Sequence, residues 1–377
     1  MLTKWETLFL LLLAIPIMGH VTILPLMIDV AGRDVWISIA ISIPFGVLFA
    51  FFIYRIKVHY SEKTLSHILI DILGKPLGYG FIVFFVLYFL YLTILSYSSL
   101  IDFVFILFLP ETPRTALIIW FLPLILYGAK KGIKNIALAA GILTFITMAT
   151  GHGITLLDSP LKDWGNLKPI LEDGWDPAII GTLIITSIWI ELIFLLALPL
   201  KDVKQKRVFV LWTVGVLLNA LMMLSTTTGV ITIFGLGQAE NMLYPAQEIV
   251  RIISLGFLDR FDVYGMILNT FGTFIRCSLY FRLAYSLSSS KQSKKGYKRF
   301  IYIFYVVIIV LGTFGITRDH IYVEKTIDIY AHFVFLYPIP FILWLILKIK
   351  NMKNRDKSKG KGKGKGKKDQ SKVPQSS

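Results

Sequence analysis

The 377-residue chain is 55% hydrophobic and only 16% charged, with a mean hydropathy of +0.70, which is too apolar for a soluble globular protein. Its net charge of +16 does not indicate nucleic-acid binding, because ten of the 39 Lys and Arg residues lie after residue 350, in a segment without an aromatic residue for base stacking. We therefore predict a multi-pass membrane protein that binds no nucleic acid.

Ten apolar runs are long enough, or nearly long enough, to cross a bilayer as helices. We interpret the first as a permanent helix rather than a cleaved signal peptide, because Glu6 lies beside Lys4 and no small-residue cleavage site follows. The fourth run is the shortest. The runs are Leu8–Ile28, Val35–Ile56, Leu77–Leu107, Thr115–Gly128, Ile136–Leu157, Pro177–Leu200, Val208–Phe234, Phe261–Leu287, Phe300–Ile316 and Ile329–Ile349.

The first run contains helix breakers near its middle, at Pro16, Gly19, His20 and Pro25. Unpaired backbone groups in lipid cost several kcal/mol each unless protein, water or a ligand satisfies them. Such a break at the middle of a membrane is therefore a candidate binding site for a small solute. The alternative is a proline kink that a neighbouring helix repairs.

Basic residues concentrate on alternate connections between the runs, in segments 55–75, 130–134, 201–207 and 291–299 and in the tail. The opposite connections carry few. Because cytoplasmic loops are enriched in Lys and Arg, this pattern predicts ten spans with both termini in the cytoplasm.

Ten spans divide into two halves of five, and an odd number of spans in each half gives the halves opposite orientations. We therefore predict an all-helical membrane domain over residues 1–350, with inverted repeats at 8–157 and 177–350. On the outer side, Pro245 begins a segment that is predicted to form a short amphipathic helix.

Residues 351–377 form a Lys-Gly-rich tail that we expect to be disordered and cytoplasmic. A basic segment next to a membrane helix is attracted to anionic lipid by about 1 kcal/mol per charge. Contact with the lipid bilayer and a merely solvated tail both remain open interpretations.

Two oppositely charged residues lie deep inside apolar runs, Glu191 in the sixth and Arg276 in the eighth. Charges at such depth are costly and normally face the interior of the helix bundle. Glu191 could receive a ligand ammonium group or a proton, while Arg276 receives a carboxylate or stabilises Glu191. The alternative is a structural ion pair that sets the register of the two helices.

Several further polar residues also lie in the runs. His20 is either a titratable, pore-facing group or a hydrogen-bonded packing residue. The third and eighth runs each have a polar side, which usually lines a cavity or contacts another helix. The polar residues of the third run are Ser96, Tyr97, Ser98, Ser99 and Asp102, and those of the eighth are Thr270 and Thr273.

The sequence carries no signature of an enzyme. The six histidines do not fall at metal-ligand spacing, and neither a nucleophile elbow nor a phosphate-binding loop is present. The single cysteine, Cys277, lies in an apolar run and is interpreted as a packing residue. We expect no catalysis, no metal and no cofactor.

Short motifs along residues 5–350 resemble the B subunit of the GerA-type spore germinant receptors, within the amino acid-polyamine-organocation transporter superfamily. Their order and spacing together are specific. They are Ile23-Leu24-Pro25, Ala31-Gly32-Arg33-Asp34-Val35-Trp36-Ile37-Ser38, Ile72-Leu73-Gly74-Lys75-Pro76-Leu77-Gly78, Leu109-Pro110-Glu111-Thr112-Pro113, Trp164-Gly165-Asn166-Leu167-Lys168-Pro169-Ile170-Leu171-Glu172, Tyr244-Pro245, Glu248-Ile249-Val250 and Phe257-Leu258-Asp259-Arg260-Phe261-Asp262.

The resemblance implies a fold like that of the leucine transporter, with the first and sixth helices broken, in the inner membrane of a bacterial spore. It implies partners, an A subunit and a lipoprotein C subunit, and a nutrient germinant, commonly an amino acid. The sequence departs from the family pattern at His20, where the family often has Thr, and at Ile188, where it has Pro.

The resemblance also implies a ligand site at the unwound middles of the first and sixth helices, closed by the third and eighth. The implied ligand-binding residues are Met18, Gly19, His20, Val21, Ser96, Tyr97, Leu100, Ser187, Trp189, Glu191, Thr270, Thr273 and Arg276. Two other hypotheses stay open, a proton-coupled amino acid transporter that uses Glu191 and an inert scaffold whose breaks only pack against partners.

Overall fold

The computed structural model describes residues 1–201, 203, 206–253, 261–289 and 293–366, with the backbone alone over 353–366. The described part consists of helices joined by turns and short irregular connections, with one isolated bridge between Leu2 and Leu200. The motif at 257–262 and the end of the predicted outer segment fall largely on 254–260, outside the described residues.

The α-helices follow the predicted apolar runs, with short helices between them. They are α1 (Lys4–Ala14), α2 (Leu24–Ala31), α3 (Val35–His59), α4 (Leu65–Leu73), α5 (Lys75–Leu107), α6 (Arg114–Lys131), α7 (Ile133–Leu157), α8 (Asp176–Ile190), α9 (Phe194–Ala197), α10 (Lys206–Phe234), α11 (Leu236–Ala239), α12 (Pro245–Ile252), α13 (Asp262–Ser288), α14 (Lys295–Ile316), α15 (His320–Ala331) and α16 (Ile339–Gly366).

Eight helical segments in the described part are long and apolar enough to cross a membrane. They are Lys4–Thr22, Leu24–His59, Lys75–Leu107, Ile133–Leu161, Asp176–Ala197, Lys206–Phe234, Lys295–Ile316 and His320–Met352. The prediction of an all-helical, multi-pass membrane protein is confirmed.

The fourth and eighth predicted spans correspond to α6 and α13, which do not reach this level of apolarity. Helix α6 has only 18 residues and carries basic residues at both ends. Helix α13 has 27 residues but contains Arg276 and Arg282. These charged residues lower the mean hydropathy of α6 and α13 below that of the other eight segments. The count of ten spans therefore stays a prediction.

The first apolar segment is interrupted, as predicted. Helix α1 ends at Ala14, and a π-helical turn, Met18–Thr22, precedes α2. Pro16 lacks a backbone N–H to continue the α-helical ladder, whereas Pro25 lies in the first turn of α2, where none is needed. The Ile23 backbone N–H donates to the Met18 carbonyl at 2.9 Å, so the break is partly hydrogen-bonded.

The sixth segment corrects the prediction of an unwound middle. Ser187 and Ile188 are α-helical in α8, and only Glu191–Ile193 tightens to a 3₁₀ turn before α9. Ile188 supplies the backbone N–H that a proline would lack, so nothing at this position breaks the helix. The chain leaves helical geometry only at Leu198, before Pro199.

Helices α5 and α13 form the most extensive pair in the bundle, and α4, α6, α7 and α14 pack against one or both of them. Helices α8 and α10 pack on α3, and α1 contacts both α10 and α13. One end of the bundle is closed. There the Leu2 backbone exchanges hydrogen bonds of 2.8 Å with Pro199 and Lys201. The buried Lys57 ammonium donates to the carbonyls of Leu196, at 3.2 Å, and Lys63. We call this the Leu2 end.

The short outer helix predicted to begin at Pro245 is present as α12, with Ile249 and Val250 buried against the bundle. It lies at the end of the bundle opposite to Leu2. Helix α16 runs into the Lys-Gly segment as far as Gly366. Residues 367–377 lie outside the described residues, and the disorder of the tail stays a prediction.

Candidate functional site

Glu191 and Arg276 form an ion pair at the centre of the bundle. The Arg276 Nη2 atom donates to Glu191 Oε1 at 2.6 Å, and Nη1 donates to Oε2. Both side chains are fully buried. A two-point contact of this kind is the strongest geometry for a guanidinium and a carboxylate.

Protein groups occupy the remaining acceptor positions of Glu191 and two further N–H donors of Arg276. The Tyr280 and Tyr330 hydroxyls donate to the two Glu191 oxygens at 2.5 Å each. Arg276 also donates to the Ser96 hydroxyl at 2.5 Å and to the Ala14 carbonyl at 2.6 Å. Side chains or backbone of α1, α5, α8, α13 and α15 therefore meet at one saturated network, which holds the helices in register.

A cavity of about 320 Å³ opens between the interrupted first segment and the end of the bundle opposite to Leu2. Its wall is largely apolar, with hydroxyl, amide and imidazole groups interspersed. The lining residues are His20, Val21, Phe103, Thr147, Gly151, His152, Ile154, Thr155, Asp158, Leu221, Met222, Ser225, Thr226, Tyr244, Ala246, Gln247, Ile249, Val250, Gly265, Leu268 and Asn269. The size and mixed wall are typical of a site for a small molecule.

Of the implied ligand-binding residues, only His20 and Val21 line this cavity. Met18 and Gly19 lie behind them and are buried. A Cβ atom on Gly19 would overlap the Met223 thioether and lie 3.4 Å from Ile188 Cδ1. Gly19 is therefore at a point of close approach between the first, sixth and seventh apolar runs.

The implied residues of the sixth run face the interior. Ser187 donates to the Ile184 carbonyl at 2.6 Å, and the Trp189 indole donates to the Ser42 hydroxyl at 3.2 Å. Both side chains are fully buried and do not line the cavity.

The implied residues of α5 and α13 are also bonded within the protein. Ser96 donates to the Leu92 carbonyl at 2.7 Å, and Tyr97 donates to the Ile118 carbonyl. Leu100 and Thr270 line a separate pocket of only about 10 Å³. Thr273 donates to Asn269 Oδ1 at 3.4 Å. Asn269 lines the cavity, so Thr273 contacts a lining residue but does not line the cavity itself.

The residues that sequence reasoning missed make up most of the cavity wall. Most lie on α7, α10 and α12, where small or polar residues are mixed with apolar ones. Thr155 and Ser225, for example, place their hydroxyl oxygens 3.0 Å apart across the α7 and α10 interface. A cluster of hydroxyl residues at 225–228 was a signal that the sequence did contain.

The family model described as spore germination protein matches residues 1–321. This chain belongs to the spore germination protein family. It is 32% identical over 264 residues to spore germination protein XB of Bacillus anthracis, covering 70% of this chain and 74% of that protein. It is 24% identical over 265 residues to spore germination protein KB of Bacillus subtilis (strain 168), covering 67% and 69%.

A third relative of this spore germination protein is protein YndE of Bacillus subtilis (strain 168), which is 26% identical over 249 residues, or 64% of this chain and 68% of that protein. The resemblance inferred from the sequence motifs is thereby confirmed at the level of the family.

A polar cluster in this spore germination protein, at the end of the bundle opposite to Leu2, joins four segments around Asp102. The fully buried carboxylate accepts from the Tyr244 hydroxyl at 2.7 Å and contacts His320 Nδ1 at 2.6 Å and Arg114 Nη2 at 3.5 Å. Burial and the Asp102 carboxylate raise the pKa of the Tyr244 phenol well above its usual value, so the hydroxyl stays protonated and donates. Since Tyr244 lines the cavity, this cluster holds that part of the cavity wall in place.

Replacing Tyr244 with phenylalanine is expected to lower the stability of the protein by about 1–3 kcal/mol, because a buried carboxylate loses a hydrogen-bond donor. The melting temperature of the purified protein measures this. Tyr322→Phe is the matched control, since the Tyr322 side chain is 48% exposed. Equal melting temperatures for the two variants would contradict the role given to the Asp102 cluster.

In the part of this spore germination protein that the structure describes, no three His, Cys, Asp or Glu side chains are grouped so that they could hold a metal ion. The expectation that no metal or cofactor is required stays a prediction from the sequence.

Proposed function

We propose that this chain is the nutrient-binding membrane subunit of a spore germinant receptor, and that an amino acid enters the outer cavity and contacts His20 and Val21. The observation that carries the proposal is the position of the cavity, directly at the interrupted first segment. Membership in the spore germination protein family supports the biological role.

The cavity is well placed to couple binding to a change of conformation. Its wall is built from α5, α7, α10, α12 and α13, together with the π-helical turn after α1. A ligand that contacts all of them favours the arrangement in which they converge. It shifts the protein between two conformations only to the extent that it binds one of them more tightly.

We also propose that α6 and α13 cross the membrane, which gives ten spans in two inverted halves with both termini in the cytoplasm. The two arginines of α13 are a weaker obstacle than hydropathy suggests, since Arg276 is neutralised by Glu191. In this orientation the Leu2 end faces the cytoplasm and the cavity faces outward. The proposed location is the spore inner membrane, with an A subunit and a lipoprotein C subunit as partners.

The network around Glu191 favours sensing over proton-coupled transport through that residue. Its two oxygens accept four hydrogen bonds, from Arg276, Tyr280 and Tyr330. A transported proton would have to displace one of these donors. Uptake of an amino acid into vesicles that hold this chain alone, abolished by Glu191→Gln, would instead support the transporter.

Filling the cavity tests the proposal directly. Replacing Ser225, on the wall contributed by α10, with tryptophan is expected to raise the amino acid concentration needed for half-maximal germination at least about tenfold, or about 1.4 kcal/mol of binding free energy. The measurement is the germination rate of spores that carry the variant, as a function of germinant concentration.

Leu217→Trp is the matched control, because Leu217 lies two turns earlier on α10 with a side chain that is 46% exposed and outside the cavity. It should leave the response unchanged. If Ser225→Trp is produced at the normal level and the response is also unchanged, this cavity is not the nutrient site.

A further inference from the structure

Asp158, at the end of α7, is the one carboxylate among the residues that line the cavity of the described structure. Its side chain is only 5% exposed. The other ionisable lining groups are the imidazoles of His20 and His152 and the Tyr244 phenol. A carboxylate removed from water in this way needs a cation close by, because burying an unpaired charge costs several kcal/mol.

The cation that meets this need comes from the next turn of the chain. Lys162 Nζ lies 2.6 Å from Asp158 Oδ1, and the Lys162 side chain is 7% exposed. Gly229 of α10 faces the pair at ordinary van der Waals distance. A Cβ atom at Gly229 would lie 3.8 Å from both Asp158 Oδ2 and Lys162 Cε.

The backbone around Lys162 is held independently of this ion pair. The Asp163 backbone N–H and the Asn166 side-chain amide both donate to the Thr232 carbonyl, at 3.0 Å each. The Leu161 N–H donates to the Asp158 carbonyl at 2.9 Å. The Lys162 ammonium stands on a flexible four-carbon chain, so it can leave Asp158 without releasing the loop.

Groups that suit a second ammonium lie next to Asp158 on the cavity wall. Thr155 is one turn earlier on the same face of α7, and its hydroxyl lies 3.0 Å from that of Ser225. A primary ammonium has three hydrogen-bond donors and no acceptor. One carboxylate and two hydroxyl oxygens can accept all three.

We propose that Asp158 binds the ammonium group of the nutrient, and that Lys162 occupies this position until a ligand displaces it. The inference rests on the proposed function, since it takes the cavity as the nutrient site. It restricts the ligand to molecules with a primary ammonium group, such as amino acids, and excludes neutral sugars and nucleosides.

The experiment uses the purified full-length chain in lipid nanodiscs. Its melting temperature is measured with each of the twenty amino acids, with their N-acetyl derivatives, and with glucose and inosine as neutral probes. A ligand that binds only the folded protein raises the melting temperature. We expect stabilisation by at least one amino acid and none by its N-acetyl derivative, glucose or inosine.

Two substitutions then separate an ammonium site from a structural ion pair. For the amino acid that binds best, Asp158→Asn should weaken binding at least about tenfold, because a charge-assisted contact is lost. Lys162→Met should strengthen it several-fold, because the internal competitor is removed. Asp158→Glu and Lys162→Arg keep the charges and control for folding.

Opposite effects of the two charge-removing substitutions support the proposal. If both weaken binding to the same extent, the ion pair only holds the loop, and the proposal is overturned. Binding of glucose or inosine that Asp158→Asn does not affect also overturns it but leaves the cavity as the nutrient site. If no ammonium probe binds, the inference fails, and the spore response of Ser225→Trp then decides the proposed function separately.

Discussion

Replacing Arg276 with methionine is expected to lower the free energy of unfolding by about 3–5 kcal/mol, because it leaves the buried Glu191 carboxylate without its cation. The Tyr280 and Tyr330 hydroxyls still donate to that carboxylate, but they carry no charge. The loss should appear as a lower melting temperature and a lower yield of folded protein from the membrane.

The double variant Arg276→Met/Glu191→Gln should recover a large part of this loss, because neither member leaves an unpaired charge behind. Arg282→Met is the control on the same helix. Arg282 lies 5.6 Å from the centre of the Tyr285 ring, and no ion pair is recorded for it among the described residues, so about 0.5–1 kcal/mol is expected. Equal costs at Arg276 and Arg282 would mean that the ion pair does not stabilise the bundle.

Replacing Trp189 with alanine is expected to cost about 3–5 kcal/mol of stability, because the largest side chain of the sixth apolar run is removed from a closely packed interior. The fit around the ring is tight. A Cβ atom on Gly46 of α3 would lie 2.8 Å from Trp189 Cδ2. The neighbours cannot collapse fully into the space that the indole leaves, and this is the source of the cost.

Trp120→Ala provides the comparison, since Trp120 is 80% exposed and should change stability by no more than about 0.5 kcal/mol. The melting temperatures of the two variants in the same lipid give the difference. Because Trp189 does not line the cavity, we expect the substitution to lower the stability of the protein and to affect nutrient binding less. If the Trp189→Ala protein is stable but its nutrient response is weakened, Trp189 contributes to ligand binding and the role given to it here is wrong.

Much of the local structure could be predicted from the sequence. The breakers in the first apolar run predicted its interruption, and Pro245 predicted the start of α12. Both signals are local, because a proline acts on its own backbone and on the preceding turn. The pairing of Glu191 with Arg276 was one of the two readings left open, since two isolated charges at membrane depth need one another.

The prediction for the sixth run failed for a reason that is also local. The resemblance implied an unwound middle, but Ile188 replaces the proline that would break the helix, and α8 continues to Ile190. The departure was visible in the sequence. The continuous helix that results from it could not be predicted, because helix continuity also depends on how neighbouring helices satisfy the hydrogen bonds of the backbone.

The cavity could not be read from the sequence because its wall comes from distant segments. His20 lies about 200 residues before Ser225 and Gln247 in the chain, and it meets them only in the folded bundle. The same holds for Asp102, which was noted as part of a polar helix face without its partners Tyr244 and His320. The hydrophobic periodicity of one helix does not show which residues of another helix will contact it.

The amino-acid sequence alone thus established the membrane class, the approximate spans, the break in the first span and the family resemblance, since hydropathy, breakers and motifs are properties of short stretches. The tertiary structure alone decided that the Glu191 carboxylate is saturated by protein, and that the open space lies beside Asp158 and His20. The physical reason is that burial, ion pairing and cavity shape depend on the relative positions of helices. The sequence of a single segment does not determine those positions.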